Sequence, residues 1–405
     1  MVERKEYLDQ LWMWKDEQQI KVVTGIRRCG KSVLLEQYQQ RLLEDGVTPQ
    51  QIISINFENL DYEHLKDYRA LYTYLKERLC PDKMTYIFLD EIQEVQHFEK
   101  VVDSLYIRED VDIYITGSNA YMLSGELATL LSGRYIEIKM LPLSFREYTV
   151  VTGLSKEEAF AEFMKTGGIP YVAVMNRTDE KVDQYLEGIY NTVIIKDIEQ
   201  RQARREITGD RRKITDITLL KTVARYLASV LGSPVSIKSI TNYLIPSGRK
   251  VSQNTVNDYV EALTESFIFY PVERFDIVGK QLLKTNNKFY MVDMGIRNHI
   301  LPRKQYDLGF TIENIVYLEL ERRGNKVHIG KYGSTEVDFV TQKEGVLTYY
   351  QVTADMTAEE TFEREMRPLR NIQDNYEKIV LTLDRFSTGN YEGIKVVNVI
   401  DWLLE

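Results

Sequence analysis

Residues 22–35 read VVTGIRRCGKSVLL. Within them Gly25-x-x-x-x-Gly30-Lys31-Ser32 follows an apolar run, Gln19–Thr24, and precedes Ser32–Arg41, where Val33, Leu34, Leu35 and Tyr38 suggest a helix. Strand, glycine loop and helix in that order form the context of a phosphate-binding loop; the alternative is a plain tight turn. Glycines permit dihedrals that expose successive backbone N–H groups, and the helix N-terminus adds its positive field. The Lys31 ammonium would reach the β- and γ-phosphates of a nucleotide, and the Ser32 hydroxyl would ligate Mg²⁺. Gly25, Ile26, Arg27, Arg28, Cys29, Gly30, Lys31, Ser32 and Val33 are therefore the expected nucleotide-binding residues.

Two further acids supply chemistry. Thr85–Asp90, TYIFLD, is a compact apolar strand ending in Asp90 and Glu91. Acids at the C-terminal end of such a strand face the ligand crevice of an α/β sheet. Asp90 would hold Mg²⁺, and Glu91 would orient and polarise an attacking water, which is nucleoside triphosphate hydrolysis. A third strand, Val111–Thr116, runs into Gly117-Ser118-Asn119. Asn119, or in second place Ser118, would contact the γ-phosphate or the lytic water; both are also ordinary turn residues.

These groups must be positioned by a sheet. Strands recur near residues 19, 52, 85, 112 and 135, the last being Tyr135–Leu141, with helical segments between. That spacing predicts a parallel, doubly wound α/β sheet with right-handed crossovers.

Composition bounds the rest. A chain of 405 residues implies two or three domains. Its net charge of −9 excludes a general polyanion binder, so nucleic-acid contact needs a local basic patch. Two cysteines, Cys29 and Cys80, make no disulfide framework and fit a reducing compartment. No apolar run is long enough to span a bilayer, and the charged start MVERKEYLDQLW lacks a signal-peptide core. The expectation is a soluble, cytoplasmic protein without membrane contact.

With GIRRCGKS, YIFLDEIQ, ITGSNA, LLSGRY, LPLSFREY and GGIP in order, the chain resembles the AAA-type P-loop ATPases of the prokaryotic group related to archaeal and STAND ATPases. These are fused to a C-terminal domain of unknown function. The resemblance covers nearly the whole chain. It implies ATP and Mg²⁺ as cofactors, with Lys31, Ser32, Asp90, Glu91 and a sensor at Asn119 acting on ATP. It also implies homo-oligomers in which Arg134 is either an arginine finger reaching a neighbour's site or a surface arginine. Arg27 and Arg28 would sense nucleotide or dock a lid, or are solvated loop residues. The family's GG-x-P turn, Lys165–Pro170 here, sits in a helical lid over the nucleotide.

Beyond the core, residues 181–213 read as long helices closing in RQARREITGDRRK. Its Arg201, Arg204, Arg205, Arg211, Arg212 and Lys213 are a solvated helix end or a phosphate contact. Residues 216–275 hold helices at Ile217–Leu231 and Ser236–Leu244 and a third capped by Ser252, then a hairpin beginning near Phe267. That is a winged helix. As a DNA reader it would present Arg249, Lys250, Gln253, Asn254 and Asn257; the alternative is a protein-docking module. The last segment places Glu313 and Glu319 on a helix, Asp338 on a strand, and Gln351-Val352-Thr353 on the next. The order resembles the PD-(D/E)xK nuclease fold, whose acids hold Mg²⁺ while a lysine helps generate hydroxide. Gln351 stands where the second acid belongs and Thr353 where the lysine belongs, so nuclease activity is expected to be absent or very weak. The expected division is 1–150 P-loop ATPase core, 151–213 helical lid and linker, 214–300 winged helix, and 301–405 nuclease-like α/β domain. The expected activity is ATP hydrolysis driving a conformational or assembly change; the alternative is an ATP-switched DNA-binding or DNA-processing factor.

Overall fold

The computed structural model describes residues 2–117, 131, 133–193, 216–245, 251–301 and 308–405. Asn119, Ser118, the arginines of 201–213, and Arg249 and Lys250 lie outside the described residues. The chain divides into two compact units: Met1–Pro142 with Glu265–Phe267, and Leu143–Thr264 with Ile268–Glu405.

In the first unit, β1 (Ile20–Thr24), β2 (Ile52–Asn56), β3 (Thr85–Asp90), β4 (Val111–Gly117) and β5 (Tyr135–Lys139) form a five-stranded sheet in the order β2-β3-β4-β1-β5. Every pairing is parallel. Each residue of β1 and β3 is buried, the pattern of central strands covered on both faces. The covering helices include α1 (Lys5–Met13), α2 (Lys31–Glu44), α3 (Tyr68–Lys76) and α4 (Phe98–Tyr106). On α4, Phe98, Val101, Val102 and Leu105 recur at helical spacing and pack with Leu71 and Leu75 of α3 against Ile87, Leu89, Ile113 and Ile115. The expected parallel doubly wound sheet is present. Its last strand is shorter than the expected Tyr135–Leu141: the Met140 N–H still donates to Thr24 O, while the Leu141 N–H turns to Tyr7 Oη.

A buried ion pair ties the lower ends of the strands together. Lys21 Nζ of β1 lies 2.5 Å from Asp112 Oδ1 of β4, with both side chains at most 1% exposed. Burial opposes the charge of each partner. Asp112 Oδ2 also accepts from the Asp16 N–H at 2.9 Å and from Tyr114 Oη at 2.8 Å.

The second unit is mixed. Helices α5 (Phe145–Thr152), α6 (Lys156–Thr166), α7 (Pro170–Val174) and α8 (Asp179–Asn191) are followed by α9 (Ile217–Ser229), α10 (Ile237–Leu244) and α11 (Gln253–Glu265). Ser252 caps α11 as expected, its Oγ accepting from the Thr255 N–H at 3.1 Å. Strands β6 (Phe269–Asp276) and β7 (Gln281–Met291) form the expected hairpin. The hairpin does not end a separate module, however. β6 pairs in parallel with β8 (Lys326–Tyr332), so residues placed on either side of position 300 share one sheet. That sheet has eight strands in the order β12-β13-β11-β10-β9-β8-β6-β7. Here β9 is Thr335–Lys343, β10 Val346–Thr353, β11 Glu377–Thr382, β12 Gly389–Tyr391 and β13 Ile394–Asn398. Helices α12 (Met294–Ile300), α13 (Leu308–Arg322), α14 (Glu359–Asn371) and α15 (Val399–Leu404) complete the unit.

The Gly167-Gly168 turn is explained by Asp293, the N-cap of α12. Its Oδ2 accepts the Gly168 N–H at 2.6 Å and its Oδ1 the Ile296 N–H at 3.0 Å. A Cβ on Gly167, whose φ is +75°, would lie 2.1 Å from Asp293 Oδ1. Burial pushes the Asp293 carboxyl up to about 6, against the pull of these backbone donors.

Replacing Lys21 by Met strands the Asp112 carboxylate in the core. It should cost about 3–5 kcal/mol, read as a lower urea midpoint for the first unit. An unchanged midpoint would remove the pair from the framework of this sheet.

Candidate functional site

The residues between β1 and α2 form an open loop. Gly25 has φ +145° and Gly30, the N-cap of α2, has φ +105°. A Cβ on Gly25 would sit 2.2 Å from the Met140 carbonyl oxygen. No other residue type fits there, because backbone cannot yield as a side chain can. Arg28 also adopts positive φ, +67°; it is exposed, while Arg27 pairs with Glu58 at 3.3 Å. Cys29 is fully buried, and burial pushes its thiol up.

Lys31 is 4% exposed and points back across the loop. Its Nζ donates to Gly25 O at 3.1 Å and Ile26 O at 3.4 Å, and lies 3.8 Å from Glu91 Oε1. Ser32 lies in the first turn of α2 and hydrogen-bonds Asp90. Asp90 Oδ2 accepts from Asn56 Nδ2 at 2.8 Å, and Asp90 Oδ1 accepts from the Thr116 hydroxyl. Burial raises the Asp90 carboxyl, the Ser32 and Thr116 hydroxyls oppose that rise, and the neighbouring Glu91 adds to it. Glu91 itself is 8% exposed with φ +55°. Its N–H donates to Thr116 Oγ1 at 2.9 Å, and its Oε2 accepts from Gln93 Nε2.

The fold thus brings Gly25–Val33, Asp90 and Glu91 to one end of three adjacent strands, and it adds groups that sequence reasoning missed. Asn56 ends β2 and Thr116 precedes the end of β4. Their signal was positional: a polar residue closing an apolar strand beside Asp90. Arg134 is placed elsewhere. Ile20 pairs with Tyr135 and Thr24 with Lys139, so Arg134 sits at the opposite end of the sheet from the loop. Four strand steps separate those ends, about 13 Å. Its guanidinium lies 3.6 Å from Asp103 Oδ1 and 5.2 Å from the Tyr106 ring centroid. Arg134 therefore does not reach the loop of its own chain.

The second unit holds another cluster of charge. A cavity of about 460 Å³ is lined by Glu313, Asp338, Gln351, Thr353, Arg364 and Glu365 among others. Asp338 Oδ2 accepts the Val352 N–H at 2.8 Å, and Gln351 Nε2 donates to Glu365 Oε2 at 3.1 Å. Lys288, from β7, lies 3.2 Å from Glu313 Oε1 and 2.8 Å from Glu336 Oε1. Burial works against its charge, but Glu313, Asp338 and Glu336 outweigh burial and hold the ammonium above its ordinary range. Burial raises Glu313, opposed by Lys288; it raises Asp338 strongly, with Glu313 adding to the shift. Glu319 pairs with Arg322 and Arg323 and does not line the cavity. Gln253 and Asn254 are exposed on the first turn of α11, and Asn257 donates to Glu261 at 2.8 Å.

Residues 17–149 match the family described as an AAA domain, and residues 157–307 match a domain of unknown function. An uncharacterized protein of Haemophilus influenzae is 38% identical across 100% of this chain and 99% of its own length. An uncharacterized protein of Methanocaldococcus jannaschii is 28% identical, covering 94% of this chain and 85% of its own. Among solved structures, a Walker-type ATPase of Pyrococcus abyssi is similar with a TM-score of 0.46 and 16% identity, over 74% of this chain and 96% of that one.

Gly25→Ala combines a disfavoured φ with a backbone clash. It should destabilise the first unit by about 2 kcal/mol or more, read as a lower melting temperature. A variant as stable as the parent would mean that the loop relaxes freely away from Met140.

Proposed function

The chain belongs to one family with its uncharacterized Haemophilus influenzae relative and carries an AAA domain at residues 17–149, and on that premise we propose that it is an AAA-type P-loop ATPase that binds ATP with Mg²⁺ and hydrolyses it to drive a conformational or assembly change. The observation that carries this reading is the convergence of Lys31, Ser32, Asp90 and Glu91 at one end of the parallel sheet. Two neighbouring buried carboxylates face one ammonium there; burial raises the Asp90 carboxyl, and the charge of Glu91 adds to the rise. A divalent cation would supply balancing positive charge. Ser32 and Asp90 are the protein groups that would hold it. Among the described residues no cluster of three or more acids, histidines and cysteines is arranged to hold a metal. Phosphate and water would complete the shell, as Mg²⁺ prefers.

In this reading backbone N–H groups of Gly25–Lys31 bind the phosphates. Lys31 exchanges its loop carbonyls for β- and γ-phosphate oxygens. Glu91, held by Gln93 and by the Thr116 contact to its backbone, orients the attacking water. Asn119 serves as the sensor. Arg134, remote from its own loop, acts on the site of a neighbouring copy in a homo-oligomer. The setting is the cytoplasm; among the described residues no helix is long and apolar enough to cross a membrane.

Steady-state ATP hydrolysis with and without DNA tests this. Lys31→Ala should lose nucleotide binding and turnover. Glu91→Gln should keep binding while kcat falls at least ~100-fold. A wild type that binds ATP and never turns it over would overturn the hydrolytic assignment.

A second reading, an ATP-switched DNA-processing factor, is favoured by one observation. The charges that positions 351 and 353 lack are carried near the same cavity by Glu365 and Lys288. Gln253, Asn254 and Asn257 of α11 would be its DNA contacts. This reading expects slow Mn²⁺- or Mg²⁺-dependent DNA cleavage, abolished by Asp338→Asn and by Lys288→Met. No cleavage with either metal would remove it.

A further inference from the structure

We propose that Arg4 is a positioning residue that locks the phosphate loop to the segment Met140–Pro142 and passes nucleotide occupancy to that segment. The proposal rests on the nucleotide reading above and adds a route by which the site signals along the chain.

Arg4 precedes α1 and is 2% exposed. Its fork divides between two targets. Nη1 donates to Cys29 O at 3.1 Å, inside the phosphate loop. Nη2 donates to Leu141 O at 2.8 Å and Pro142 O at 3.3 Å. The guanidinium also lies 5.0 Å from the Tyr7 ring centroid, and Tyr7 Oη accepts the Leu141 N–H at 3.0 Å.

The loop end of this contact bears on phosphate binding directly. In a trans peptide the C=O and the next N–H point in opposite directions. Drawing the Cys29 carbonyl toward Arg4 therefore turns the Gly30 N–H the other way, toward the interior of the loop. Arg4 thus sets the orientation of one of the donors that would meet a phosphate.

The other end is equally committed. The Met140 N–H donates to Thr24 O at 2.8 Å. The Met140 carbonyl occupies the space where Gly25 lacks a Cβ. The Leu141 N–H is held by Tyr7, and Pro142 has no N–H to donate. The segment is thus held by β1 and Tyr7, and Arg4 is the side chain that ties its carbonyls to that of Cys29. Met140–Pro142 are also the last residues of the first unit before Leu143 begins the second. A planar fork spans both targets; a lysine ammonium presents a single point and cannot.

The test is hydrogen exchange of peptides covering residues 138–143, with and without saturating ATP, beside ATP affinity from a fluorescent ATP analogue. The proteins are wild type, Arg4→Lys, Arg4→Met and Tyr7→Phe. In the wild type ATP should slow exchange in 138–143. Arg4→Lys should bind ATP about tenfold more weakly and, once saturated, should lose most of that slowing. Tyr7→Phe should keep the affinity and lose part of the slowing. A purely structural arginine would lower stability but leave the ATP-induced difference intact, and that result would overturn the proposal. If Arg4→Met does not fold, Arg4→Lys and Tyr7→Phe still decide. A wild type that binds no ATP overturns the nucleotide reading itself. One that binds ATP with unchanged exchange in 138–143 overturns only the coupling.

Discussion

The carbonyls of a buried loop need hydrogen-bond donors when no regular secondary structure supplies them. The surroundings of Gly25–Lys31 answer that constraint. Lys31 takes the oxygens of Gly25 and Ile26, Arg4 takes that of Cys29, and the Leu34 N–H takes that of Gly30. Each partner comes from a different place: the loop's own lysine, the segment before α1, and the first turn of α2. Glycine at 25 lets Met140 approach, and glycine at 30 lets the chain turn into the helix. The open loop is thus a property of its neighbours as much as of its own residues.

Charge follows a similar logic. Two clusters of buried acids among the described residues are balanced incompletely. In the first unit Lys31 faces Asp90 and Glu91, and hydroxyls and an amide share the rest through Ser32, Thr116 and Asn56. In the second, Lys288 is surrounded by Glu313, Glu336 and Asp338, and burial drives up the carboxyls of Glu313 and Asp338. Removing charge from water is costly, so such clusters persist where a ligand or a cation offsets them in function, or where the surrounding hydrogen bonds do so in the fold. Lys21 and Asp112 are the contrasting case: one pair, closely matched, at the end of the sheet away from the loop.

The second unit shows how sheet pairing overrides local reading. Three helices and a hairpin follow in the expected order, yet β6 continues through β8 into the large sheet. A hairpin leaves an edge of unpaired backbone groups, and a neighbouring strand of the same chain satisfies it. The Gly167-Gly168 turn is a comparable case. Its conformation is set by the carboxylate of Asp293, more than a hundred residues later in the chain.

By itself the sequence determined the parallel α/β core, the glycine loop, the Lys31–Ser32 pair and the Asp90–Glu91 pair. These are written in local patterns: apolar strands of fixed period, glycines where φ is positive, acids at a strand's end. The helices near 217–231, 236–244, after Ser252 and around 311–324, and the strands carrying Asp338 and Gln351, were legible for the same reason. What only the tertiary structure decided is everything that joins distant segments. Arg4 reaches residues 141 and 142, Asn56 and Thr116 hold Asp90, Lys288 pairs with Glu313, and Glu365 comes to the cavity of Asp338. It also put the Arg134 guanidinium beside Asp103 and Tyr106. Strand register and sheet order set those distances, and neither is encoded in any short stretch of chain.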